Sequence, residues 1–233
     1  MKKILSAICA AFFLLSCLSA QKYESITVKA GTKVKDWFPY QERYLYPQFI
    51  SGNVFLKNGS SSSAILNYDL LLGEIVFLKS LDTVVINKKS DIEIVTIEQD
   101  TFIYRNEYYK MIHSGRVKVC TKDKVKLIEI VKQGAMGTSN RSSAGESYSW
   151  TSANGNLVNL VSTDDMVFRR DVEFYILTSN NELVIFRKKN VIKLYLNRKA
   201  EIEKYLKSNK VNFETQKDIL RFADWLAKFT NKI

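Results

Sequence analysis

Histidine is nearly missing from this 233-residue chain, in which His113 stands alone. A serine or cysteine nucleophile needs a base beside it, and an N/S zinc site needs several imidazoles or thiolates. One imidazole therefore excludes the usual zinc sites and leaves a single candidate base. Cysteine is almost as scarce. Of three, Cys9 and Cys17 fall within the first 17 residues, and Cys120 is left without an internal partner. The body of the chain then carries no intramolecular disulfide and must be held together by burial. Other absences narrow the chemistry further. No G-x-S-x-G elbow occurs, no Gly-rich phosphate loop joins a strand to a helix, and the carboxylates are dispersed rather than spaced as a calcium loop. No catalytic residue, metal or cofactor is predicted, and Asp164-Asp165, the nearest acidic pair, reads as a turn.

No apolar run reaches the roughly 20 residues that a membrane-spanning helix needs. The longest stretch of apolar and small residues, Ile4 to Leu15, follows Lys2 and Lys3 and leads to Ser19-Ala20 before Gln21. A charged start, a short apolar centre and a small-residue end read as a cleaved secretion signal over residues 1–20. Leu14-Leu15-Ser16-Cys17 also resembles a lipoprotein processing box, with Cys17 as the acylated residue. Either route exports the protein, to the periplasm or into association with the outer membrane.

Acidic residues are in deficit, and the deficit is local. Residues 187–233 hold 13 Lys or Arg against 5 Asp or Glu, whereas residues 22–186 hold 20 against 19. A neutral body with a basic tail points to an anionic membrane surface or an acidic partner, or simply to solvated Lys-rich helices. Export argues against nucleic acid as the partner.

Proline is confined to Pro39 and Pro47, inside an aromatic-dense stretch from Trp37 to Phe49. Proline removes a ladder donor and restrains the residue before it, so this stretch is predicted to be an irregular lid pinned by its rings. From Phe49 to Val131 short runs rich in β-branched and aromatic residues recur about every ten residues, from Asn53-Leu56 to Lys124-Ile130, separated by turn signals such as Asn58-Gly59 and Lys122-Asp123. Nine strands so spaced predict an antiparallel meander, either a sandwich or an open half barrel. Cys120 ends one of these strands and is predicted to be half-buried and inert. Residues 133–156 are dominated by Gly, Ser, Asn and Thr and are predicted to be a flexible loop, in which Tyr148 and Trp150 are candidate ligand-stacking side chains.

Strands are expected again at Leu157-Val161, Asp171-Leu177 and Leu183-Phe186, and then the period changes. Val191, Ile192, Tyr195, Ile202, Tyr205 and Leu206 recur at helical spacing, with a break near Asn197. Ile219, Phe222, Ala223, Leu226 and Phe229 mark a last helix that opens near Thr215, where Thr215 and Asp218 form a capping-box-like pair. The predicted class is mainly β, with two or three C-terminal amphipathic helices. Residues 21–187 form the β-rich domain, and residues 188–233 form a basic helical segment that docks on it.

The stretches Tyr46 to Val54 and Ala64 to Ile75, and the terminal segment Asn212 to Leu226, resemble small exported envelope proteins of Gram-negative bacteria. That group carries no activity or site residue to transfer. The sequence ranks a noncatalytic binding or assembly module of the envelope first. A periplasmic carrier of an apolar or lipid-like ligand in an open barrel ranks second, and a hydrolase with His113 in a cleft beside Cys120 or a carboxylate ranks third.

Overall fold

The computed structural model describes residues 24–80, 82–133, 139–143 and 161–232. The chain is mainly antiparallel β with helices at its C-terminal end, as predicted. Its strands are β1 (Ser25–Val28), β2 (Ile50–Leu56), β3 (Ser61–Asp69), β4 (Glu74–Lys79), β5 (Asp82–Val85), β6 (Ile92–Ile97), β7 (Asp100–Arg105), β8 (Glu107–His113), β9 (Lys118–Gln133), β10 (Ser139–Ser143), β11 (Asp165–Leu177) and β12 (Leu183–Ile185). Single-turn helices α1 (Val34–Trp37) and α2 (Tyr40–Arg43) follow β1, and α3 (Lys188–Leu194), α4 (Lys199–Asn209) and α5 (Gln216–Leu226) close the chain.

All 12 strands belong to one sheet, in the order β1-β11-β9-β8-β7-β6-β2-β3-β4-β5, with β10 added beside β9 and β12 beside β11. A single open sheet decides between the two predicted forms in favour of the open one. Its local hairpins follow from the sequence. In the turn after β2, Leu56 N–H donates to the Ser60 carbonyl at 2.9 Å and Gly59 takes φ +84°. The return from β5 to β6, which pairs with β2 rather than β5, is what departs from a simple meander. Glycine is required at Gly52 of β2, where a Cβ would lie 2.5 Å from the Thr96 carbonyl oxygen. The sheet curls on itself until Val125 N–H of β9 donates to the Leu70 carbonyl in the β3–β4 turn at 2.8 Å.

One face of the curled sheet carries both main cores. Val125 of β9 and Met166 and Phe168 of β11 join Leu66, Ile75, Val95, Ile97, Phe102 and Tyr108 in the first. Farther along the same two strands, Val119, Phe174 and Ile176 join Val191, Ile202, Ile219, Phe222 and Leu226 of the helices in the second. Strand periodicity of two puts Val119, Thr121, Asp123 and Val125 on this one face. Between the cores Asp123 accepts from Arg170 Nε at 2.8 Å and from its Nη2 at 2.5 Å. The β9–β11 pair is thus a spine shared by two cores and divided by an ion pair. The helical segment docks through Phe222, which is fully buried, while Trp225 stacks on Tyr205 with ring centroids 4.2 Å apart.

The aromatic segment packs as a lid. Phe38, Tyr44 and Tyr46 are buried, and two polar side chains of β3 clasp it. The Asn67 side chain accepts from Tyr46 N–H at 3.1 Å and donates to the Tyr46 and Gln48 carbonyls at 3.0 and 3.2 Å. Asp69, fully buried, accepts from Arg43 Nε at 2.8 Å and from the Leu71 and Leu72 amides at 3.0 Å each. Burial pulls the Asp69 carboxyl above its ordinary range, while Arg43 and those amides pull it back.

Several expectations are corrected. Lys122-Asp123 is no turn, and the two strands expected on either side of it are the single 16-residue β9. Both residues find cross-strand partners, Lys122 in Glu107 and Glu173 and Asp123 in Arg170, so nothing forces the chain to reverse. Within the stretch read as a loop, residues 139–143 are β10, paired with Glu129–Gln133, because the free edge of a long strand supplies the backbone partners that composition does not reveal. Asp165 is no turn residue either. It opens β11, where its carboxylate accepts from Lys29 at 2.8 Å and from Ala30 N–H at 2.9 Å. Thr215 precedes α5 without capping it by its side chain, and Asp218 reaches back to Asn212 N–H at 3.0 Å instead. Of the strand expected at Leu157-Val161, only Val161 is described, bridged to Lys33.

Candidate functional site

Of the candidate partners for His113, the sheet brings a carboxylate and not Cys120. His113 ends β8, and its Nε2 lies 3.3 Å from Asp224 Oδ1 of α5. Cys120 pairs in register with Met111, next to the His113–Val119 pair. Val119 faces the helical core, whereas Cys120 packs with Ile103, Tyr109, Tyr175 and Leu177 in a third cluster on the other face. Imidazole and thiol therefore lie on opposite sides of the sheet. Cys120 is fully buried rather than half-buried, and burial pushes its thiol up to about 12, which keeps it protonated and unreactive. Among the described residues no group of three His, Cys, Asp or Glu gathers to hold a metal ion. Tyr148 and Trp150, the candidate stacking residues, and Cys17, the candidate lipidation site, lie outside the described residues.

The outer face of the spine carries a ladder of charge. Lys122 sits between Glu107 Oε2 at 3.1 Å and Glu173 Oε2 at 3.3 Å, and Lys124 meets Glu107 Oε1 at 3.0 Å. Burial disfavours all three charged forms, but the partners outweigh it. Tyr175 and Glu107 hold Lys122 above the ordinary lysine range. Lys124 and Lys122 hold Glu107 below the ordinary carboxylate range. The Tyr175 hydroxyl, with Lys122 and Lys126, does the same for Glu173. A compensated ladder of this kind stiffens a sheet face and leaves none of these groups poised to exchange a proton near neutrality.

The feature best suited to binding is a gap in the sheet edge beside β11. On the side away from β9, β1 pairs with Met166–Arg169 and β12 pairs with Tyr175–Leu177. Over residues 171–173 no described strand continues that side. Phe174 accepts from Phe186 N–H at 2.8 Å, which fixes its backbone groups toward this edge. Backbone direction alternates along a strand, so the N–H and C=O of Val172 point the same way, into the gap.

A groove of about 820 Å³ opens over it. One wall is charged, with Lys126, Arg169, Asp171, Glu173 and Arg187, and the other is largely apolar, with Val172, Phe174, Phe186 and Phe213 beside Arg170, while Glu214 also lines the groove. The two walls are the two faces of the strand. Nothing in the sequence marked this place, because it exists only where β1 and β12, far apart in the chain, stop short of each other on β11. The one available signal is length, since β11 has 13 residues against 4 and 3 for its two edge partners.

The core, by contrast, is filled. The cavity beside Tyr108, lined by Tyr68, Phe102 and Thr121 among others, measures about 10 Å³, scarcely one water-sized probe. Tyr108 OH and, elsewhere, Glu74 Oε2 are buried without a hydrogen-bond partner among the described residues.

No family model, curated protein or solved structure matches the chain.

Proposed function

We propose that the chain is a noncatalytic binding module of the cell envelope, exported to the periplasm or the outer-membrane periphery, that takes an extended segment of a partner protein as an added strand on β11. The observation that carries this reading is the stretch 171–173, where no described strand pairs with this side of β11 and the edge at Val172 faces a groove with one charged and one largely apolar wall. Main-chain hydrogen bonds to an edge supply affinity, and alternate side chains lodged on the two faces supply selection. The segment that fits is short, centred opposite Val172, and alternates apolar and charged side chains. Export rests on the first twenty residues, and the partner class rests on the groove.

The carrier reading is supported less. A lipid-like ligand needs a continuous apolar cavity of several hundred Å³, and the cavity in the core is about 10 Å³.

Capture from solubilised envelopes, with mass spectrometry of both proteins and lipids, tests the proposal when wild type is compared with Val172→Pro. The substitution removes an edge-facing N–H without touching the bonds to β9. Recovery of a protein through a short alternating segment, lost in V172P, is expected. Recovery of lipid alone, or of the same proteins by both variants, overturns it. So does protection of the Val172 amide in the isolated chain, since the chain itself would then fill the edge.

A further inference from the structure

We infer a second contact surface, independent of the β11 edge: the projecting corner between α3 and α4 docks on an anionic phospholipid bilayer. The inference gives a partner to the basic tail and rests on the envelope reading above. From Arg187 to Lys199 the chain holds six Lys or Arg and no Asp or Glu. Within it, Leu194 and Leu196 are 37% and 68% exposed, the latter the most exposed large apolar side chain described. Single exposed leucines are ordinary on protein surfaces. Two of them flanked by Lys193 on one side and Arg198 and Lys199 on the other are what an interfacial segment presents, with apolar tips for the acyl boundary and cations for the headgroups.

The arrangement is built rather than incidental. Tyr195 packs inward against the helical core, and a 3₁₀ turn at Leu196–Arg198 then reverses the path, so its two neighbours must face out. Val191 on one side and Ile202 and Leu206 on the other anchor the corner in the same core, which spares the ordering cost that a flexible loop would pay on binding. Acidic compensation is thin. Arg198 meets Glu201 at 2.9 Å and Lys188 meets Glu203 at 3.9 Å, both solvent-exposed pairs that contribute little. An acidic protein would use the cations but has no need of two outward leucines on the most exposed turn, and that favours a bilayer. No described helix is long and apolar enough to cross a membrane, so the contact is peripheral.

The test uses the chain from Gln21, without lipid attached, and sedimentation with vesicles of phosphatidylcholine alone or mixed with phosphatidylglycerol. Binding to the mixed vesicles only is expected, weakening as salt rises toward about 1 M, where screening acts within about 3 Å. Lys193→Gln with Lys199→Gln should lower the partition coefficient about 25-fold, at about fivefold per cation. Leu194→Ser with Leu196→Ser should lower it about tenfold, from loss of partial side-chain burial, with the circular dichroism spectrum unchanged. Absence of binding by the folded chain overturns the inference. Binding that ignores the leucines does so too, since an acidic surface of any kind would then serve. V172P should bind vesicles normally, so this result and that at the β11 edge stand or fall separately.

Discussion

Phe222→Ala measures whether the helices are an appendage or part of the fold. Phe222 is fully buried, and its ring lies 5.4 Å from Tyr205, 5.7 Å from Phe186 and 6.0 Å from Phe213, centroid to centroid. Truncation removes the ring and leaves a void among three other rings that cannot all collapse into it, a change that costs about 3–5 kcal/mol. For a domain whose total stability is about 5–15 kcal/mol, that is about a fifth or more. With a urea slope of about 2 kcal/mol per molar, the midpoint should fall by about 1.5–2.5 M. Because β9 and β11 line both cores, the loss should be felt in the first core as well. Hydrogen exchange of β6 and β7 amides, whose residues take no part in the second core, should accelerate together with that of α5, and fluorescence and circular dichroism should trace one transition. An early transition confined to the helices, with β6 and β7 exchange unchanged, would refute the shared spine.

Further predictions follow the same bookkeeping of burial and partners. Asp69→Ala strands the Arg43 guanidinium and two amides, so a loss of about 3–5 kcal/mol is expected in chemical denaturation, with faster exchange over residues 40–46. Glu107 and Glu173 have folded values below their unfolded ones, so their stabilisation is present above the ordinary carboxylate range near pH 4 and is lost as pH falls through the lowered values. Glu107→Gln should therefore lower the urea midpoint at pH 7 and have much less effect near pH 3, and an equal effect at both would be contrary evidence. Asp69 and Glu74, raised by burial, act in the opposite sense and blunt the acid limb of the wild type. With its thiol near 12, Cys120 is ionised in about one molecule in ten thousand at pH 8, so iodoacetamide should label it only as fast as the chain unfolds. Gly52→Ala puts a methyl group against the Thr96 carbonyl, and a loss of at least about 1–3 kcal/mol is expected in thermal unfolding.

Most of the elements were legible because they rest on local rules. Alternation marked β2 to β8, Asn58-Gly59 marked a hairpin, and helical spacing placed Val191, Ile202, Leu206 and Phe222 on buried stripes, as observed. The failures share one cause. Lys122-Asp123 looked like a turn because a sequence shows charge but not the partner across the sheet, and Ser139–Ser143 looked like a loop because a polar strand is made by its neighbour's open edge. The pairing of Cys120 with His113 failed on strand parity, since adjacent register pairs present side chains to opposite faces. The candidate site was not legible at all.

Taken alone, the sequence determined most of the secondary structure, the lack of cross-links, the charge asymmetry and the apolar faces that had to be buried, because most of these depend on residues within a turn or two of each other. Tertiary structure decided that β6 returns to β2, that one pair of strands serves two cores, and that no described strand joins β11 between β1 and β12. Those outcomes depend on register between segments tens of residues apart, and in the case of β1 and β11 more than a hundred, and register is set by how whole faces fit rather than by any local signal.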